Sequence, residues 1–251
     1  MTGVTSRVAL VTGSSSGIGA ATARLLAARG MRVVVNYLRS GAAAEEVVTG
    51  IEAAGGQAMA VQADVREVAA VESLTERVEA AWGGIDVLVH NALTPYAIKP
   101  FQNMTWEELG SKLDDEMRAA FVVTKAVLPA MTEQGWGRII YLSTGLSHRP
   151  REGMIALGTA KAALVQFARY LAQELGPRGI TVNVVEPGPV EDTRMAASAL
   201  DEEHMRQQVA ATPLGRLAQT GDVAQAVAFY ASEDNGFMTG TTAAVDGGMS
   251  M

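Results

Sequence analysis

Along the chain, short runs of β-branched and small apolar residues alternate with longer Ala-rich stretches whose apolar positions recur every three or four residues. The runs Val8–Val11, Arg32–Asn36, Gln57–Val61, Val87–His90, Arg138–Leu142, Thr181–Val185 and Thr242–Val245 predict strands. Their nearly continuous apolar character suits strands covered on both faces. Helices are predicted over Ile18–Arg29, Ala42–Ala54, Val68–Trp82, Trp106–Gln134, Ile155–Leu175 and Asp222–Ala231. Strands that alternate with helices in this way predict an α/β fold, a doubly wound parallel sheet of Rossmann type with right-handed crossovers. Its ligand is then expected outside the carboxyl ends of the strands, where the strand order reverses. No repeat or linker breaks the rhythm, so residues 1–251 read as one domain. The polar, Met-containing stretch Asp192–Leu214 is the exception and predicts a small helical flap over the site.

Composition narrows the chemistry. Apolar residues make up 48 % of the chain and aromatics only 5 %, which suits strands packed closely by helices. A net charge of −7 without a long basic run argues against nucleic acid as a partner. The absence of cysteine removes disulfides, thiolate catalysis and sulfur-ligated metals. The three histidines, His90, His148 and His204, show no ligand spacing, so no metal site is expected. No apolar run reaches membrane-spanning length, which leads to the expectation of a cytoplasmic protein without a membrane partner.

The first strand runs into Thr12-Gly13-Ser14-Ser15-Ser16-Gly17-Ile18-Gly19, which opens a helix. Glycines there allow a tight turn and a close approach of backbone to a pyrophosphate, and the helix N-terminus supplies oriented N–H groups. The second strand ends in Asn36-Tyr37-Leu38-Arg39-Ser40. It carries no acidic residue for a ribose hydroxyl, whereas Arg39 and Ser40 suit a 2′-phosphate, so NADP(H) is expected rather than NAD(H).

With this glycine spacing and a Lys161 on the fifth helix, the whole chain resembles the short-chain dehydrogenase/reductase family, in the manner of carrier-protein ketoacyl and enoyl reductases. The resemblance implies that Asp64-Val65 lies against adenine and that Asn91-Ala92 stands for most of the family's Asn-Asn-Ala-Gly, read here as His90-Asn91-Ala92-Leu93. It also implies that Pro187, Gly188 and Thr193 belong to the loop over the nicotinamide. Family members use an asparagine, a serine, a tyrosine and a lysine in catalysis. Glu116 stands at the asparagine, Thr144 at the serine and Leu157 at the tyrosine, while Lys161 is kept. The seven-residue spacing of some enoyl reductases puts Met154, not a tyrosine, before that lysine.

The residues left for proton transfer are Tyr96, Tyr141, Ser147 and His148, with His148 suited by its ordinary pKa. A carboxylate at Glu116 is expected to pair with Lys161 and to fix it as a ribose-binding charge. Arg149 and Arg151 are candidates for guiding a phosphorylated arm, and Leu93, Met154, Leu157 and Met195 give the expected lining an apolar character. Three functions stay open. One is an atypical NADP(H)-dependent reductase of an apolar carbonyl or enone compound, free or thioester-linked. Another is a catalytically silent subunit that pairs with an active relative. The third is a non-redox isomerase, dehydratase or cyclase. The resemblance implies a homotetramer or dimer, or a hetero-oligomer under the second reading.

Overall fold

The computed structural model describes residues 6–193 and 202–251. Strand β1 (Val8–Val11) is buried along its whole length, because Val8 and Leu10 face one helical layer while Ala9 and Val11 face the other. The same alternation holds through β2 (Arg32–Tyr37), β3 (Gln57–Gln62), β4 (Val87–His90), β5 (Gly137–Leu142) and β6 (Ile180–Pro187), whereas in the edge strand β7 (Thr242–Val245) Ala243 and Val245 pack on one layer and Ala244 is exposed. All seven pair in parallel, in the order β3-β2-β1-β4-β5-β6-β7. On one face the sheet packs against α3 (Val68–Trp82), α4 (Trp106–Gln134) and α5 (Ile155–Leu175). On the other it packs against α1 (Gly17–Ala28), α2 (Gly41–Ala53) and α7 (Thr220–Ala231). A further helix, α6 (Glu202–Ala210), lies in the stretch read as a flap. Among the described residues, no helix is long and apolar enough to cross a membrane.

The strand order reverses between β1 and β4, and there the loops after the two strands are tied together. The Thr12 hydroxyl accepts the N–H groups of Asn91 and Ala92, each at 3.0 Å. Helix α4 is the other element that sets the site. It starts on a capping box, in which Thr105 Oγ1 accepts the Glu108 N–H and Glu108 Oε2 accepts the Thr105 N–H. It then runs for 29 residues to a left-handed Gly135. This fixed start carries Glu116 to a buried position facing α5.

Candidate active site

At the switch point the glycines are needed for space. Gly13 has φ +61°, and a Cβ there would lie 2.9 Å from the Ala92 Cα. A Cβ on Gly19 would lie 2.6 Å from Asn91 Nδ2 and 2.8 Å from the Gly13 carbonyl oxygen. Ser15, Ser16 and Gly17, at the N-terminus of α1, line a cavity of about 280 Å3 with Arg24, Asp192 and Thr220. Thr193 comes from the far side, and its Cγ2 is the neighbour that a Cβ on Gly17 would touch. A glycine cradle, a helix N-terminus and an adjoining cavity fit the pyrophosphate of a dinucleotide.

Two asparagines expected at the cofactor spend their side-chain amides on this loop. Asn36 is buried; its oxygen accepts the Gly13 N–H, and its nitrogen donates to the carbonyls of Val61 and Ala63. Asn91 Nδ2 donates to the carbonyls of Thr12 and Gly13. Both therefore shape the cradle from behind. Arg39 is exposed beyond β2, and Ser40 is the residue before α2. The Arg66 side chain grips Asp64 and, with a smaller effect from Arg39, holds its carboxyl below the usual range. Val65 beside it is buried. Pro187 ends β6, and Gly188 closes against Asp246, where a Cβ would come within 2.9 Å. Ile18 packs against the core beneath the cradle.

The expected Glu116–Lys161 pair is present at 2.6 Å, and a second ammonium joins it. Lys112 Nζ lies 2.5 Å from the other Glu116 oxygen and donates to the Thr94 hydroxyl at 2.7 Å and the Thr94 carbonyl at 3.1 Å. Lys161 also donates to the Leu142 carbonyl at 2.7 Å. The three side chains are closed off unequally, with relative exposures of 0 % for Lys112, 1 % for Glu116 and 5 % for Lys161. Burial alone pushes the Glu116 carboxyl up, but the ammonium charges of Lys161 and Lys112 override it and bring it down to about 2. Burial pushes Lys112 down from the usual lysine value, against the pull of Glu116. The sequence reading missed Lys112 and Thr94. The available signal was the spacing of four between Lys112 and Glu116, which puts them on one helix face.

The other expected residues divide around this cluster. Thr144 follows β5 and caps a short 3-10 turn, with its hydroxyl 3.5 Å from the Leu146 N–H. Leu157 is buried one turn before Lys161. The Tyr96 ring lies 5.6 Å from Lys112 Nζ, and burial raises its phenol above the ordinary value against an opposing Arg151. His148 is elsewhere. Its Nδ1 contacts Ser147 Oγ at 3.2 Å and Glu186 at 3.3 Å, beside a cavity of about 430 Å3 between α5 and β7. None of Lys112, Glu116, Leu157 and Lys161 lines that cavity. Met195 of the expected lining lies outside the described residues. Leu93 is exposed and Met154 half-buried, so they offer apolar surface. Among the described residues no group of three or more His, Asp or Glu is placed to hold a metal.

His90 ends β4 beside this cluster, fully buried, with its ring in edge contact with Tyr141 at 5.7 Å. Neither ring nitrogen has a hydrogen-bond partner among the described residues. Burial pushes the imidazole from 6.5 down to about 4, against the opposing charge of Glu116. As pH falls from 6.5 towards 4, the unfolded chain takes up a proton that the folded chain does not. Stability therefore falls with falling pH in that window, and the Glu116 contribution, lost from 4.5 towards 2, follows below it. At about 1.4 kcal/mol per unit, the imidazole accounts for about 3 kcal/mol. Urea unfolding at about pH 7 and about pH 4.5 is expected to show most of this loss, and His90→Asn to remove it.

Comparison with known proteins places this geometry. The profile of a family described as enoyl-(acyl carrier protein) reductase matches residues 13–250. A 3-oxoacyl-[acyl-carrier-protein] reductase of Synechocystis is 41 % identical over 253 residues, covering 100 % of both chains. The enzyme of that name from Escherichia coli is 37 % identical over 246 residues, covering 98 % of each. The crystal structure of a dehydrogenase/reductase from Sinorhizobium meliloti superposes with a TM-score of 0.89 at 34 % identity, over 98 % of this chain and 95 % of that one. With the seven-stranded parallel sheet, the glycine cradle and Lys161 in place, the chain belongs to the short-chain dehydrogenase/reductase family of nicotinamide-dependent oxidoreductases.

Proposed function

We propose that the protein is an NADP(H)-dependent reductase of apolar α,β-unsaturated carbonyl compounds, working as a homo-oligomer without the family's phenol. The observation that carries this reading is a retained Lys161 ammonium at the site with a hydrocarbon, Leu157, where a proton donor is expected. When bound, the reduced nicotinamide supplies the hydride. Gly13, Ser15, Ser16, Gly17 and Gly19 hold the pyrophosphate, and Arg39 with Ser40 reads the 2′-phosphate. Lys161 orients the ribose and offers a fixed positive charge to the substrate oxygen, and Thr144, after β5, is the hydroxyl donor.

The chemistry of the two substrate types decides between them. Reduction of a saturated ketone leaves an alkoxide, whose oxygen must take a proton as it forms. Reduction of an enone at its β-carbon leaves an enolate, which a fixed ammonium stabilises until its α-carbon is protonated by water or Tyr96. A site with a charge and no acid favours the second. The exposed Phe121 on α4 and Tyr170 on α5 support assembly through those two helices.

A second reading, a silent subunit that partners an active relative, is favoured by the buried Leu157. Titration of the purified protein with NADPH and NADH, followed by tryptophan fluorescence, separates them at the first step. Micromolar binding with preference for NADPH is expected, and Arg39→Glu is expected to weaken NADPH roughly ten- to a hundredfold while sparing NADH. Failure to bind either cofactor rejects the reductase reading.

A further inference from the structure

Lys112 has no part in the family pattern, yet it is the most completely buried of the three charged groups around Glu116. Three ions out of water are expensive unless each is paired and hydrogen-bonded, and here each is. The two lysines divide the carboxylate between them, one on each oxygen. Lys112, Glu116 and Lys161 together carry one net positive charge. Were Lys112 absent, Glu116 would pair with Lys161 alone and the group would be neutral. Of the three, Lys161 is the one that solvent reaches most. The surplus charge is therefore presented at Lys161.

We propose that Lys112 is a positioning residue that keeps the Lys161 ammonium uncancelled, so that the site carries one net positive charge towards nicotinamide and substrate oxygen. The inference rests on the reductase reading above and adds the residue that makes its electrostatics work. A site charge of this sign draws in an oxyanion and discourages the oxidised, positively charged nicotinamide relative to the neutral reduced one. Lys112 also donates twice to Thr94, next to Leu93, so the loop after β4 is held by the same contact.

The ratio of the dissociation constants for NADP+ and NADPH reads this charge without any turnover. Loss of fold or of cradle geometry weakens both cofactors together and leaves the ratio in place, whereas a change of local charge moves it. Lys112→Met brings the cluster to neutral, and the ratio is expected to fall about three- to tenfold, the range for a unit charge some way from the ring at an effective dielectric near 20. Glu116→Gln adds a charge, and the ratio is expected to rise. The double variant K112M/E116Q restores one net charge and is expected to return to the wild-type ratio. Should Lys112→Met not fold, Glu116→Gln against the double variant makes the same comparison. Ratios that stay within about twofold across folded variants overturn the inference alone. Wild-type protein that binds neither cofactor rejects the reductase reading, and the inference falls with it.

Discussion

Glu116→Ala is expected to cost about 3–5 kcal/mol of folding stability, the size typical of removing one partner from a buried ionic group. The reason lies in what remains. Lys112 and Lys161 would both stay out of water, with Thr94 and the Leu142 carbonyl as their partners and no counter-charge between them. Thermal unfolding of a chain this size should shift down by roughly 6–20 °C. The contrast is Glu203→Ala, which removes an exposed partner of Arg206 on α6 and is expected to change stability by less than about 0.5 kcal/mol. A loss below about 1 kcal/mol for Glu116→Ala would mean that water reaches the cluster and that its charges are not closed in.

Leu157→Tyr should raise the reduction of a saturated ketone by about 10²-fold, within the range a positioned general acid supplies. The new phenol would stand one helical turn before Lys161, on the same buried face of α5. The ammonium is already fixed there by Glu116 and the Leu142 carbonyl, and a positive charge beside a phenol lowers its pKa. Conjugate reduction of an enone should gain far less, because its enolate does not need a proton on oxygen. Steady-state rates on a matched ketone and enone test this. Equal gains on both, or none on the ketone in a folded protein that binds NADPH, would show that the missing phenol does not limit the reaction.

Most of the fold was legible because parallel strands covered on both faces leave continuous apolar runs that few other elements produce. Strand β4, at Val87–His90, and helix α5, at Ile155–Leu175, have the bounds that the sequence pattern predicts. The ends of β6 were less legible, since it extends to Pro187, whose missing N–H a strand tolerates only at its end. The site was legible only in part, because side-chain partners are set by the fold and not by local pattern. Asn36 and Asn91 sit where cofactor contacts are expected, but periodicity does not reveal where a side-chain amide is spent. Lys112 stands in sequence beside Asp114 and Asp115 like a solvated charge, and only the fold turns it inward, onto Thr94 of the loop after β4. His148 stands near the expected site in sequence, yet the turn after β5 aims it at Glu186, a buried acid contributed by another strand.

On the proposed reading, a fixed charge has replaced an acid at this site. Its most direct test is NADPH consumption by wild-type protein with 2-cyclohexenone and with cyclohexanone, the products being identified. Cyclohexanone is expected from the enone, with little or no cyclohexanol from the ketone. Ready formation of cyclohexanol, or bound NADPH that neither compound oxidises, would contradict it.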